Sequence, residues 1–255
     1  MANSRSGDSV IGRVVRVLDS FDSTRVSQTP AEIAERTGLP RSTAHRLVTD
    51  LVAHGLLERD DEGAVRIGMR LWELTTRGSH ALRLRQLALP FMEEVQSRIR
   101  EHTQLGVREH DEVLFLERLS ARDAGANVTR VAGRLPLHAS SSGLVLLANA
   151  SAHEQDRYLS GRLAAVSPET LTDAAVLRRK LAEVRKLGHA YSPGSIEEVS
   201  TGIAVPVRDA SGVIAALGVV VPRGDERRDE IVALLTRAAA GISEAARASP
   251  FHSMG

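Results

Sequence analysis

The chain has 255 residues, 42% of them hydrophobic and 25% charged, with a formal net charge of +1; the length suggests two modest domains and the apolar share suffices for both cores. Cysteine is absent, which excludes disulfides, thiolate metal centres and cysteine nucleophiles. The near-neutral charge and seven aromatic residues argue against a basic architectural nucleic-acid binder and against a base-stacking platform for single strands.

Ser9 to about Phe21 is expected to be a helix, because Val10, Val14, Val17, Leu18 and Phe21 form one apolar stripe. Asp22 to Gln28 is polar and is expected to be a connection. Thr29 is then placed to cap a short helix, with Pro30 at its first position and Glu32 three residues after the cap, a T-x-x-E capping box. Gly38 ends that helix, and Leu39-Pro40 opens a second one that runs to Gly55. On the second helix Ala44, Leu47, Val48 and Leu51 fall at i, i+3, i+4, i+7 and can be buried. Ser42, His45, Arg46 and Thr49 fall at the same spacing on another face, and all four can donate or accept hydrogen bonds. A helix with one core face and one hydrogen-bonding face fits a DNA major groove. The following LLERDDEGAVRIG reads as two short strands around the turn Asp60-Asp61-Glu62-Gly63, a wing.

These residues point to a double-stranded DNA operator as partner. Arg41 and Arg46 suit guanine edges or phosphates, and Ser42, Thr43, His45 and Thr49 can add base or backbone contacts. Arg59 and Arg66, on the two arms of the wing, either touch the duplex or pair with Asp60, Asp61 or Glu62. Thr29 either caps its helix or helps the backbone amides there to hold a phosphate. Residues 1–80 hold 11 arginines and 11 acids, so the case for DNA rests on where the charges sit and not on their sum. One such module is small. Operators are generally read by two, spaced by about one turn of DNA, roughly 34 Å. The short helix Met69 to Arg77, with Trp72, offers a surface on which two copies can pair.

Gly78 marks the expected boundary between a DNA-binding domain at 1–78 and a second domain at 79–255. A long helix is expected from Leu82 to Glu101, interrupted by Pro90 as a kink. GVREHDEVLFLERL reads as a hairpin, and helices are expected near 140–150, 151–160 and 172–187. STGIAVPVRD and GVIAALGVVVP read as two strands joined by an Asp-Ala-Ser-Gly turn, and Asp225 to Ala248 as a closing helix with acids at its start. The fold class is α+β. The longest apolar run, Val213 to Val221, is far too short to span a bilayer, and MANSRSGDSV has no signal-peptide core; a cytoplasmic protein with no membrane partner is expected.

Three further stretches carry a resemblance. Gly133-Arg134-Leu135-Pro136-Leu137-His138-Ala139-Ser140-Ser141-Ser142-Gly143, Gly188-His189-Ala190 and Ile203-Ala204-Val205-Pro206-Val207-Arg208-Asp209 resemble the G-x-x-P-L-H-x-S-x-x-G, G-Y-A and I-A-x-P-V-R-D stretches of the IclR family of bacterial transcriptional regulators. The resemblance runs from about Ser9 to Gly241. It implies a GAF-like α/β effector-binding domain after the winged helix, assembly as a dimer or tetramer, and a small, often carboxylated effector. Repression relieved by the effector is the sign it implies. Independently, the amides of Ser141 and Ser142 open a helix capped by Ser140, where the helix dipole favours a carboxylate.

The chain departs from the family pattern at several positions. Gly202 stands where many members have cysteine, Ser192 where many have aspartate, and Gly218 and Val220 where many have serines. The expectation is a roomier, less polar pocket floor that takes an aromatic or acyl carboxylate, with Leu135 and Ala204 on its apolar side and Asn127 offering a hydrogen bond. A Ser-His-Asp hydrolase built on His138 and the neighbouring serines is the rival reading, but A-S-S-S-G is not a G-x-S-x-G elbow. The nine histidines are scattered without H-E-x-x-H spacing, so no metal or other cofactor is called for.

Overall fold

The computed structural model describes residues 9–22, 24–125 and 127–248; residues 1–8, read above for a targeting signal, lie outside them. The chain divides into two compact units, Met1–Ser79 and His80–Gly255.

The first unit begins with α1 (Val10–Asp19), whose cap residue Ser9 accepts a hydrogen bond from the Gly12 amide at 2.9 Å. After β1 (Ser27–Gln28) come α2 (Pro30–Thr37), α3 (Arg41–Ala53), β2 (Leu57–Arg59), β3 (Val65–Ile67) and α4 (Met69–Gly78). The capping box at α2 is present, and Gly38 takes the left-handed backbone (φ 66°) that a glycine allows at a helix end. Val17, Ile33, Ala44, Val48, Leu57 and Val65 form the core, so α1, α2, α3 and the wing share one apolar centre. The stretch read as a polar connection supplies a third strand. Ser27 pairs with Arg66 and Gln28 with Val65, giving the order β1-β3-β2. Its polar composition hid a strand that pairs by backbone alone. α4 buries none of its residues, and Met69, Trp72 and Leu74 are exposed.

The second unit starts with α5 (His80–Ile99), inside which Pro90 is accommodated without ending the helix. Arg100, at φ 60°, stops it, so that β4 (His102–Glu109) begins four residues before the expected hairpin. There follow β5 (Glu112–Ser120), β6 (Arg134–Pro136), α6 (Ser141–Ala148), α7 (Ala152–Leu159), α8 (Ala174–Leu187), β7 (Ala190–Pro193), β8 (Ser200–Arg208), β9 (Val213–Pro222) and α9 (Arg228–Ala248). The short edge strands β6 and β7 were not foreseen from the sequence. All paired strands run antiparallel in the order β6-β5-β4-β9-β8-β7.

Alternation along these strands divides two cores. Leu105, Ile203, Val205, Leu217 and Val219 face α5 and α9, where Met92, Leu235 and Ile242 meet them. Phe115, Ala204 and Ala216 face α6 and α8, where Leu144, Leu147, Leu177 and Leu181 meet them. Both faces of β9 are therefore covered, which is why it reads as an unbroken apolar run. Ala190, Gly202, Ala204, Ala216 and Gly218 are on the α6 side of β7, β8 and β9. Registry forms two rows across the sheet, Gln104–Gly218–Ala204–Ala190 and His102–Val220–Gly202–Ser192.

Candidate functional site

α3 is two-sided as the spacing predicts. Ala44, Leu47, Val48 and Leu51 are buried, whereas Arg41, Ser42, His45, Arg46 and Thr49 are exposed and Thr43 is half-buried. Arg41 and Arg46 make no hydrogen bond or ion pair among the described residues, which leaves both guanidinium forks available. Thr49 spends its hydroxyl proton on the His45 carbonyl (2.9 Å) and keeps only acceptor capacity. No side chain caps α3, so its first amides remain open to a phosphate.

Thr29 is fully committed to its own helix. Its hydroxyl bonds Glu32, and its amide donates to Glu32 Oε2 at 2.7 Å. The Glu32 carboxylate, held below its usual range by those bonds, occupies the position a phosphate would need. The wing arginines do not pair with the turn acids. Arg59 donates to the Gly63 carbonyl at 2.8 Å, and Arg66 pairs with Glu58 at 3.1 Å. Glu58 also accepts the Met69 amide at 2.9 Å; this bond first and Arg66 second hold its carboxyl below the ordinary value. It ties the wing to the start of α4.

In the second unit a cavity of about 30 Å³ lies between the N-terminus of α6 and the sheet. Of the residues singled out from the sequence, Asn127, Leu135, Ser140, Ser141, Ser192, Gly202 and Val220 line it. Ser142, Ala204 and Gly218 do not; Ser142 belongs to α6 and packs towards Gly218, and Ala204 lies beside Gly218 in the sheet. Ala204 is fully buried, and the Ser142 hydroxyl, also fully buried, has no hydrogen-bond partner among the described residues.

The two glycines do not enlarge the cavity, as was expected of them. A methyl on Gly202 would lie 2.7 Å from Ser141 Oγ, and one on Gly218 would lie 3.3 Å from Ser142 Oγ. Their missing side chains let α6 settle onto the sheet. Gly143 lets the start of α6 fold back against the loop before it, since a methyl there would overlap the Leu137 backbone. Nor is the wall depleted of polar groups. Gln104, Thr129, Ser195, Glu197 and Ser200 line it as well, and none was singled out beforehand. Gln104 lies on β4 ahead of Gly106, where the expected hairpin begins, so no strand was read at it. Ser200 opens β8, and Thr129, Ser195 and Glu197 come from loops, where sequence spacing carries no direction.

Above the sheet two loops meet. Glu197 Oε2 accepts the Val128 amide at 3.4 Å. His102, beside Val220 in the floor, donates from Nε2 to the Gly125 carbonyl (2.7 Å) and accepts from Ser120 Oγ at Nδ1 (2.8 Å); a carbonyl only accepts, which fixes this tautomer. Ser140 caps α6 by accepting the Gly143 amide at 3.1 Å. The amides of Ser141 and Ser142, in the first turn, have no partner within the helix.

His138 does not reach the serines. Its Nε2 bonds the Ala164 carbonyl (2.9 Å) and its Nδ1 the Tyr158 hydroxyl (2.7 Å), and it is 2% exposed. Burial pushes the Tyr158 phenol up, so it stays a proton donor. Both ring nitrogens are consumed in bracing the loop before α6, and no nucleophile is activated. Among the described residues there is also no group of three potential metal ligands.

A winged helix with a free hydrogen-bonding face, carried on one chain with an α/β unit that encloses a polar-ended cavity, defines a DNA-binding regulator that responds to a small molecule. Residues 77–244 match the bacterial transcriptional regulator IclR C-terminal family and residues 10–61 the IclR helix-turn-helix domain. The HTH-type transcriptional regulator XynR of Escherichia coli is 31% identical over 210 residues, 81% of this chain and 83% of its own length. The Pca regulon regulatory protein of Pseudomonas putida is 30% identical over 228 residues, 87% and 77% of the two chains. A solved IclR homolog from Microbacterium hydrocarbonoxydans, complexed with 4-hydroxybenzoate, is 55% identical over 94% of this chain and all of its own, with a TM-score of 0.90. The chain belongs to the IclR family of bacterial transcriptional regulators, which are not enzymes.

Proposed function

We propose that this protein is a homo-oligomeric repressor of a catabolic operon, that an aromatic carboxylate releases it from its operator, and that it works in the cytoplasm. One observation carries the effector class: a cavity whose α6 end is lined by Ser141, with its first-turn amide and its hydroxyl, beside the apolar side chains of Leu135 and Val220. Donors at a helix N-terminus suit a carboxylate, and the apolar wall suits a ring. The 4-hydroxybenzoate held by the Microbacterium homolog supports the same class.

Cavities that hold benzene measure about 150 Å³, against about 30 Å³ here. Entry of a ring therefore moves the cover loops outward, and the long Val128–Glu197 bond is the contact that gives way. Two copies of α3 read half-sites in neighbouring major grooves, and the effector changes their spacing or mobility. Such coupling amounts to about 1–3 kcal/mol, roughly 5–150-fold in operator affinity.

The experiment is fluorescence anisotropy with duplexes from the promoter region beside the gene, titrated with 4-hydroxybenzoate, benzoate, glyoxylate and pyruvate. Release by the aromatic acids alone is the expected result. Release by the two- and three-carbon acids alone overturns the effector class, and tighter DNA binding with effector overturns its sign.

A further inference from the structure

We infer that the cavity has a second polar end, built by Asn127 and Glu197, that selects effectors carrying a hydroxyl group on the ring opposite the carboxylate. The inference rests on the aromatic-carboxylate reading above and adds to it what the far end of the ring must carry.

Asn127 is locked in one orientation. Its Oδ1 accepts the Thr129 amide at 2.9 Å and lies 2.7 Å from Thr129 Oγ1. A backbone amide can only donate, so the oxygen faces Thr129 and Nδ2 faces away. That Nδ2 is buried and has no hydrogen-bond partner among the described residues, although buried donors are nearly always paired. The segment that carries it is anchored at both ends: Gly125 to His102, and the carbonyls of Asn127 and Thr129 to Arg118. The donor therefore cannot easily turn away to find a partner elsewhere.

Glu197 faces the same cavity. It touches the segment through the Val128 amide alone, at 3.4 Å, and its other oxygen has no hydrogen bond among the described residues. One fixed donor beside one acceptor is the pattern a hydroxyl satisfies, since it accepts from Asn127 and donates to Glu197. A second carboxylate would meet the charge of Glu197, and a bare ring edge would leave the Asn127 donor unpaired.

The spacing agrees. Ser141 sits over Gly202 on β8, and the Asn127 segment is tied to His102 on β4, with Val220 of β9 between them in one row. Two strand spacings, roughly 9–10 Å, match the length of one ring with a hydrogen-bonding group at each end, once the cover loops have moved outward to admit it.

Calorimetry on the full-length protein tests this with 4-hydroxybenzoate, benzoate, 4-methoxybenzoate and terephthalate. The expected result is 4-hydroxybenzoate bound at least about tenfold more tightly than the other three. In Asn127→Leu and, separately, Glu197→Gln, the ratio of 4-hydroxybenzoate to benzoate affinity falls towards one, with the melting temperature and circular dichroism of each variant confirming the fold. Equal binding of benzoate and 4-hydroxybenzoate by the unmodified protein overturns the inference and leaves the aromatic-carboxylate reading standing, as does an unchanged preference in both variants. No binding of any aromatic acid overturns both.

Discussion

Arg46 shows what a single side chain can be asked to do here. It stands on the exposed face of α3 and makes no bond among the described residues, so the fork pays no penalty for leaving a protein partner when it meets a base. A bidentate arginine–guanine contact carries about 1–3 kcal/mol of discrimination. Arg46→Ala is expected to weaken operator binding by that amount, with a smaller loss on a scrambled duplex, in a salt-matched anisotropy titration. An equal loss on both duplexes would make Arg46 a phosphate contact instead. Arg66 is expected to matter less, because Glu58 already holds it. Glycine works in the opposite way at Gly202 and Gly218, where the absent side chain is filled by serines of α6 and helix, not ligand, uses the space.

At the scale of elements, α6 is positioned by contacts too close for any side chain. Gly143 lies against the Leu137 backbone, which cannot swing aside as a side-chain end would. Gly143→Ala is expected to cost about 3 kcal/mol, seen as a fall in melting temperature of roughly 6–12 °C, together with loss of effector binding. α7 illustrates capping. Ser151 and Glu154 form a capping box, and Arg108 of β4 reaches Glu154 at 2.8 Å. The Ser151 hydroxyl first, then its amide, then Arg108, pull the Glu154 carboxyl down to about 2 from 4.5. A lowered carboxyl stabilises the fold fully above its unfolded value and loses that contribution as the pH falls from about 4.5 towards 2. Ser151→Ala is expected to raise the Glu154 pKa back towards 4.5, followed by carbon-detected NMR of its carboxyl group; an unmoved titration would make Arg108 the dominant partner.

At the scale of the whole molecule, exposed apolar surface bears on assembly. α4 exposes Met69, Trp72 and Leu74, with Trp72 61% exposed, and α1 exposes Val10, Ile11 and Val15 in the same unit. Apolar surface of this kind on two helices suits pairing with a second copy. Trp72 is the only tryptophan in the chain, so its emission reports the event directly. A blue shift with rising concentration, parallel to a rise in sedimentation coefficient, is expected, and Trp72→Ala should weaken the oligomer. An oligomer unaffected by that substitution would place the interface elsewhere. No helix among the described residues is long and apolar enough to cross a membrane.

Local physics was enough to fix much of this protein from sequence. The capping box at Thr29, the left-handed Gly38, the two faces of α3 and the wing turn all follow from interactions spanning a few residues, and each reads as a pattern. The same holds for the cap Ser140 and the amides behind it. The tertiary structure alone decided which polar groups gather around the cavity. Gln104, Thr129 and Glu197 are far apart in the chain and meet only because β4, β9 and β8 are neighbours in the sheet and two loops close above them. It also decided that the glycines bring a helix down and do not open space, and that Arg66 turns to Glu58. Directions of side chains across strands and loops depend on who their neighbours are, and no spacing rule within one segment can supply that.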